Sequence, residues 1–179
     1  LKEMGLAAVA KRQDRATDNG RVFVASNGKK VVMLSLSCET DFVAKNDDFK
    51  KLGEDLCSTI LEKGYTEPND ELKGMVDALI AIIKENMNLV SFSVTDIPEN
   101  GYCASYVHGD GAVAVSVILK ADNASAFEAD SVKEFAHDLA LHAAAYKPQY
   151  LSDKVVPKEY EEEQLGIFRA QVAQDEKLA

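Results

Sequence analysis

Few residues of this chain are placed to do chemistry. Asp41 with His108 or His142 could form an acid–base pair, but nothing in the sequence draws them together. No serine or cysteine sits on a nucleophile elbow. Cys38, Cys57 and Cys103 are odd in number, widely spaced and lack a CxxC pair, so they read as three small apolar side chains in a reducing compartment rather than metal ligands or disulfides. GxGxxG, GxxxxGK[ST] and HExxH are all absent. What stands out is CETDFVAKNDDF, Cys38 to Phe49, where Asp41 and a large aromatic, Phe42, sit at a change of hydrophobic period. Asp41 could merely cap a helix, and Phe42 could merely be core. His142 falls on the helical line Phe135, Leu139, His142 and reads most simply as a hydrogen-bonded histidine at the edge of the core. His108 reads as a turn residue, and Glu161 to Glu163 as a solvated helix face.

Bulk properties narrow the partners. The chain has 179 residues, enough for one domain or two small ones with a real core, and it is 46% hydrophobic and 28% charged. Its net charge of −10, with no basic run, argues against a nucleic-acid backbone or an anionic membrane as the main partner. Acidic charge favours solubility or a protein partner with a basic patch. The apolar runs are too short to span a bilayer and no signal peptide is visible, so a cytoplasmic protein is expected.

The elements that must position Asp41 and Phe42 follow from the patterning. Leu1 to Gln13 reads as helical and Asp14 to Gly20 as a loop. Two β-rich runs split by Asn27-Gly28 predict a hairpin, and Val32, Leu34 and Leu36 give its second strand one buried face. Phe49, Leu52, Leu56 and Ile60 then take helical spacing, with caps in Asn46 to Asp48 and a stop at Gly64. A second helix is expected over Asn69 to Glu85, with the stripe Leu72, Met75 or Val76, Leu79, Ile82 and Ile83. After Asn86 a strand places Val90, Phe92 and Val94 on one face. Gly101 to Leu119 is a second hairpin turning at His108 to Gly111, followed by a helix over Ala126 to Ala145 stopped by Lys147-Pro148, and then by a charged terminal helix.

The order repeats. Gly20 and Gly101 each open a hairpin, 81 positions apart, and each hairpin leads through a connector to a helix. The expected fold is therefore α+β: two related subdomains, each an antiparallel sheet with helices packed on one face, plus a protruding C-terminal helix. The boundaries expected are 1–19 for an N-terminal helix and linker, 20–97 and 98–156 for the two subdomains, and 157–179 for the last helix.

CETDFVAKNDDF closely resembles the signature of the elongation factor Ts family, guanine-nucleotide exchange factors for elongation factor Tu. LKEMGLAAVAKR resembles the end of that family's N-terminal module, IKENMNL the stretch before its second subdomain, and SYVHGDG and LHAAAYKPQYL its later motifs. The resemblance covers nearly the whole chain. Most of the small ubiquitin-associated-like N-terminal domain has no counterpart here, and the chain ends within what resembles the first arm of a coiled-coil hairpin.

The resemblance implies a role for the loop. In the family, the residues matching Asp41 and Phe42 enter the partner's nucleotide domain near its Mg²⁺ site, the ring in an apolar pocket and the carboxylate among polar groups. Thr40 would orient that tip by local hydrogen bonding and Val43 by anchoring into the core. His142 is implied as a second partner contact. The implied partner is elongation factor Tu, with no cofactor, metal, nucleic acid or membrane and no catalytic residue; a homodimer is left open. Two alternatives stand beside exchange: an interaction module of the same fold without exchange activity, and a small hydrolase using Asp41 and a histidine.

Overall fold

The computed structural model describes residues 11–174. The helix expected from Leu1 lies mostly outside them; its described end, residues 11–13, is a turn. The chain forms two units, Leu1–Ala145 and Tyr146–Ala179.

In the first unit, strands β1 (Asn19–Ser26) and β2 (Lys30–Cys38) form the first hairpin. The Asn27 amide bonds the Lys30 carbonyl, which leaves Gly28 and Lys29 at the apex. Asn27 stands beside the apex, and its Oδ1 accepts from the amides of Lys29 and Lys30. Gly28 takes the first apex position with φ 83°, a conformation that glycine adopts without steric cost. β2 is the central strand of a sheet ordered β1-β2-β3, where β3 spans Met87–Asp96 and both pairings are antiparallel. That position buries Val32, Leu34 and Leu36 as the alternation predicts, and covers Val31 and Ser37 as well.

One face of this sheet carries helices α1 (Asp41–Lys45), α2 (Asp47–Lys63) and α3 (Asp70–Ile83). Phe49, Leu52, Leu56 and Ile60 of α2 are buried at the predicted spacing, and Gly64 ends the helix. Asn69 caps α3, its Oδ1 accepting from the amides of Glu71 and Leu72. The stripe of α3 differs from expectation. Leu72, Val76, Leu79 and Ile80 are buried along an i, i+4, i+7, i+8 line, while Ile82 is exposed because helix rotation carries it well to one side of that line.

Strand β3 corrects a second expectation. Leu34 faces Phe92 and Ser35 faces Ser91, but Leu36 faces Leu89. Val90 is the extra residue of a β-bulge and is exposed, so the core face is Leu89, Phe92 and Val94.

Strands β4 (Gly101–His108) and β5 (Val113–Lys120) form a separate antiparallel hairpin. The helix expected from Ala126 is divided. Ala124–Glu128 is a 3-10 turn opened by Asn123, whose Oδ1 accepts from the Ser125 amide. Phe127 of that turn stacks on Tyr102 at 5.6 Å. Ala129 is extended, and α4 (Asp130–Tyr146) begins after it. Its buried residues are Ala136 and Ala140, not the line through Phe135, Leu139 and His142. Phe135 and His142 are exposed. Alanines one turn apart bring the helix backbone itself against its neighbours, which a large side chain would prevent.

In the second unit, Tyr150 meets Tyr160 edge-on at 5.4 Å, and α5 (Lys158–Gln174) buries none of its side chains. Leu165, Phe168 and Val172 are exposed along it. The fold is α+β, with two antiparallel sheets, packed helices and a C-terminal helix. No helix among the described residues is long and apolar enough to cross a membrane.

Candidate functional site

The signature residues form a five-residue helix, α1, wedged between the end of β2 and the start of α2. Such a short helix has no stability of its own, so its geometry must be imposed from outside. Thr40 does this at the N-terminus. In extended conformation, it accepts at Oγ1 from the Val43 amide at 3.3 Å and donates from the same hydroxyl to the Glu85 carboxylate at 3.0 Å. Asn46 closes the other end: its amide bonds the Val43 carbonyl, and its Oδ1 accepts from the Asp48 amide at 2.8 Å. Asn46 therefore ends α1 and starts α2 at once. Val43 and Ala44 are buried and pin the inner face.

The preceding residues are tied down too. The Asn86 amide donates to Glu39 Oε1 at 2.6 Å, and Asn19 Nδ2 donates to the Glu39 carbonyl at 2.9 Å. Cys38, fully buried, donates its thiol to the Thr40 carbonyl at 3.2 Å. Burial, reinforced by the Glu85 charge, pushes the Cys38 thiol up to about 11.

The outer face is different. Phe42 is 82% exposed, whereas Phe49, seven residues on, is fully buried. Asp41 makes an ion pair with Lys45 one turn later at 2.9 Å, and the Lys45 hydrogen bond, then its charge, holds the Asp41 carboxyl below its usual range. The core reading of Phe42 is thereby excluded for the free chain. A large apolar ring held in water on a helix fixed at both ends is an anchor available to another surface.

Thr40, the N-cap of α1, and Asp41, Phe42 and Val43 within it are thus gathered at one tip, with the first and last turned inward and the middle two outward. His142 lies elsewhere, exposed on α4. His108 is bonded through Nδ1 to the Tyr106 hydroxyl at 2.8 Å, and Asp41 is engaged by Lys45, so neither is arranged as half of an acid–base pair. Glu85 and Glu39 position the site but do not stand out in the sequence. Glu85 could have been found from IKENMNL, where a carboxylate directly follows the end of a helix.

The fold and this tip define an α+β protein that presents a fixed aromatic residue to solvent. The chain belongs to the elongation factor Ts family: the family profile, described as Elongation factor TS, matches residues 39–179. It is 44% identical over 174 residues to elongation factor Ts of Treponema denticola, covering 97% of this chain and 62% of that protein. It is 40% identical over 190 residues to the Treponema pallidum strain Nichols protein of the same name, covering 100% and 66%. The elongation factor Ts of Borrelia garinii subsp. bavariensis is 40% identical over 173 residues, covering 96% and 62%. The chain therefore spans 62–66% of the length of these relatives.

Proposed function

We infer that this chain binds elongation factor Tu and promotes GDP release by inserting Phe42 beside the partner's nucleotide site. The observation that carries this reading is the exposure of the Phe42 ring on a helix capped at both ends, within the segment matched by the family profile. A GTPase holds its nucleotide through a phosphate loop and a Mg²⁺ ion that requires near-octahedral ligands at short distance. A rigid ring driven between the elements carrying those ligands spoils that geometry without any covalent step. Asp41 meets polar groups beside the ring. Thr40 and Val43 hold the tip from behind, and His142 on α4 supplies a second contact with the same partner.

Linkage sets the direction. A factor that lowers nucleotide affinity has its own affinity lowered by nucleotide in the same ratio. GDP leaves, GTP enters, and the factor is expelled unchanged.

The test is release of a fluorescent GDP from purified elongation factor Tu after adding the chain. Accelerated release that saturates with chain concentration is expected. Binding without acceleration would make the chain an interaction module, and absence of binding would overturn the reading altogether.

A further inference from the structure

We propose that Arg21 is a positioning residue for α1, through which the turn of the second hairpin braces the Phe42 tip. The inference rests on the exchange reading above for its functional part, but its geometry stands independently. Arg21 belongs to β1, yet its side chain is only 12% exposed and is shared between two distant elements. One guanidinium nitrogen, Nη1, donates to the Ala44 carbonyl in the last turn of α1 at 3.3 Å. The other, Nη2, donates to Asp110 Oδ1 in the β4–β5 turn at 2.9 Å.

The turn is shaped to this side chain. Asp110 takes a left-handed conformation at φ 57°, uncommon for a residue other than glycine. Gly111 follows at φ 93°, and a Cβ there would lie 2.8 Å from Arg21 Nε and 3.0 Å from Arg21 Cβ. Only glycine lets the turn backbone close on the guanidinium. Arg21 also holds the Asp110 carboxyl below its usual range, first by hydrogen bond and then by charge.

The consequence is mechanical. The carbonyls of the last turn of a helix lack intrahelical partners. Arg21 gives one of them a charged donor, and Asp110 fixes where that donor sits. The planar guanidinium makes the two bonds from two nitrogens held in a fixed fork, a geometry the single ammonium nitrogen of a lysine does not reproduce. The angle at which α1 presents Phe42 thus depends on a turn that lies 89 positions beyond Arg21 in the chain.

The test uses the whole chain carrying Arg21→Met, Arg21→Lys or Asp110→Gly. Glycine accepts the backbone conformation of Asp110, whose side chain is 65% exposed, so Asp110→Gly keeps the test valid if Arg21→Met fails to fold. Two readouts need no partner. Hydrogen exchange at the Ala44 and Asn46 amides reports on α1, with the Gly64 amide, bonded to Ile60, as the control for global stability. The chain contains no tryptophan, so Phe42→Trp added to each variant gives a single indole, excited at the red edge where the six tyrosines do not absorb, for anisotropy decay.

Arg21→Met and Asp110→Gly should speed exchange at Ala44 and Asn46 about three- to tenfold, as expected for losing one charge-assisted bond. Arg21→Lys should fall between them and the parent. Gly64 should stay unchanged, the anisotropy decay of the introduced indole should gain a fast component, and GDP release from elongation factor Tu should slow in the same order. Amides and anisotropy of Asp110→Gly identical to the parent would overturn the brace. So would moved amides with GDP release at the parent rate, for the positioning role. If the partner-free readouts move but even the parent releases no GDP, the brace stands and the exchange reading falls.

Discussion

Replacing Phe42 with alanine separates two roles of one ring by which measurement moves. A phenylalanine side chain offers roughly 200 Å² to bury. At 82% exposure, Phe42 gives up about 40 Å² of that to the fold, or about 1 kcal/mol on the usual area scale. Alanine is the better helix former by about 0.5 kcal/mol, which offsets part of the loss. The net cost of about 0.5 kcal/mol corresponds to a melting shift of roughly 2 °C or less in a chain of this size. Binding should respond differently, because truncating an aromatic hot spot removes about 2–4 kcal/mol, or roughly 30- to 1000-fold in affinity. The assays are a thermal melt of the free chain and fluorescent-GDP release from elongation factor Tu across a concentration series. Phe49→Ala is the internal control: that ring is fully buried and should cost about 3–5 kcal/mol of stability. A Phe42→Ala chain that melts far below the parent, or that still releases GDP at the parent rate, would refute the reasoning.

Gly53 on α2 faces the Phe23 ring, and an added Cβ would lie 2.3 Å from Phe23 Cζ. Gly53→Ala should therefore lose about 1–3 kcal/mol in urea unfolding, with Phe23→Leu relieving part of it. Thr40→Val keeps the shape but deprives the Val43 amide and Glu85 of their shared hydroxyl. It should cost about 1 kcal/mol and slow GDP release, while Thr40→Ser restores both. Burial pushes the Cys38 thiol up from 9.0 to about 11 and the Cys57 thiol up to about 12. The unfolded chain then releases these protons near pH 9 while the folded chain keeps them, so stability falls as pH rises from 9 toward 11 and 12. Urea midpoints over that range should decline less steeply in Cys57→Ala, and thiol reagents should reach both cysteines only on unfolding.

Legibility in the sequence follows the range of the interactions. The alternation in β2 and the spacing of Phe49, Leu52, Leu56 and Ile60 are readable because each reports one surface contacting a regular element. Alternation misplaces the face of β3 because it assumes an uninterrupted ladder, and Val90 interrupts it. Ile82 on α3 and Phe135 on α4 mislead for a related reason: apolar character marks what can be buried, while helix rotation decides what is. The signature on α1 stands out as a motif, yet from the residues alone Phe42 reads more readily as core. The supports are hidden because they act at long range. Thr40 meets Glu85 across 45 positions, and Arg21 meets Ala44 and Asp110 across 23 and 89. One local hint exists, since Arg21 directly precedes the apolar run Val22 to Ala25 and must find partners for its charge where that run packs.

The bulge at Val90 has a consequence beyond setting a face. β3 is an outer strand of its sheet, so one side of its backbone carries no ladder partner among the described residues. A long, flat outer strand invites edge-to-edge pairing with another chain and, at high concentration, aggregation. The extra residue kinks β3 and breaks the even spacing of its free amides and carbonyls, which a docking strand would need to match. Asp96 places a carboxylate near the end of the same strand, paired with Lys30 at 2.7 Å. Val90 is thus the exposed aliphatic residue that keeps this edge from becoming a template. Deleting it would join Leu89 to Ser91, restore a straight ladder with Leu89, Phe92 and Val94 still on the core face, and leave an open edge ready to recruit a second molecule.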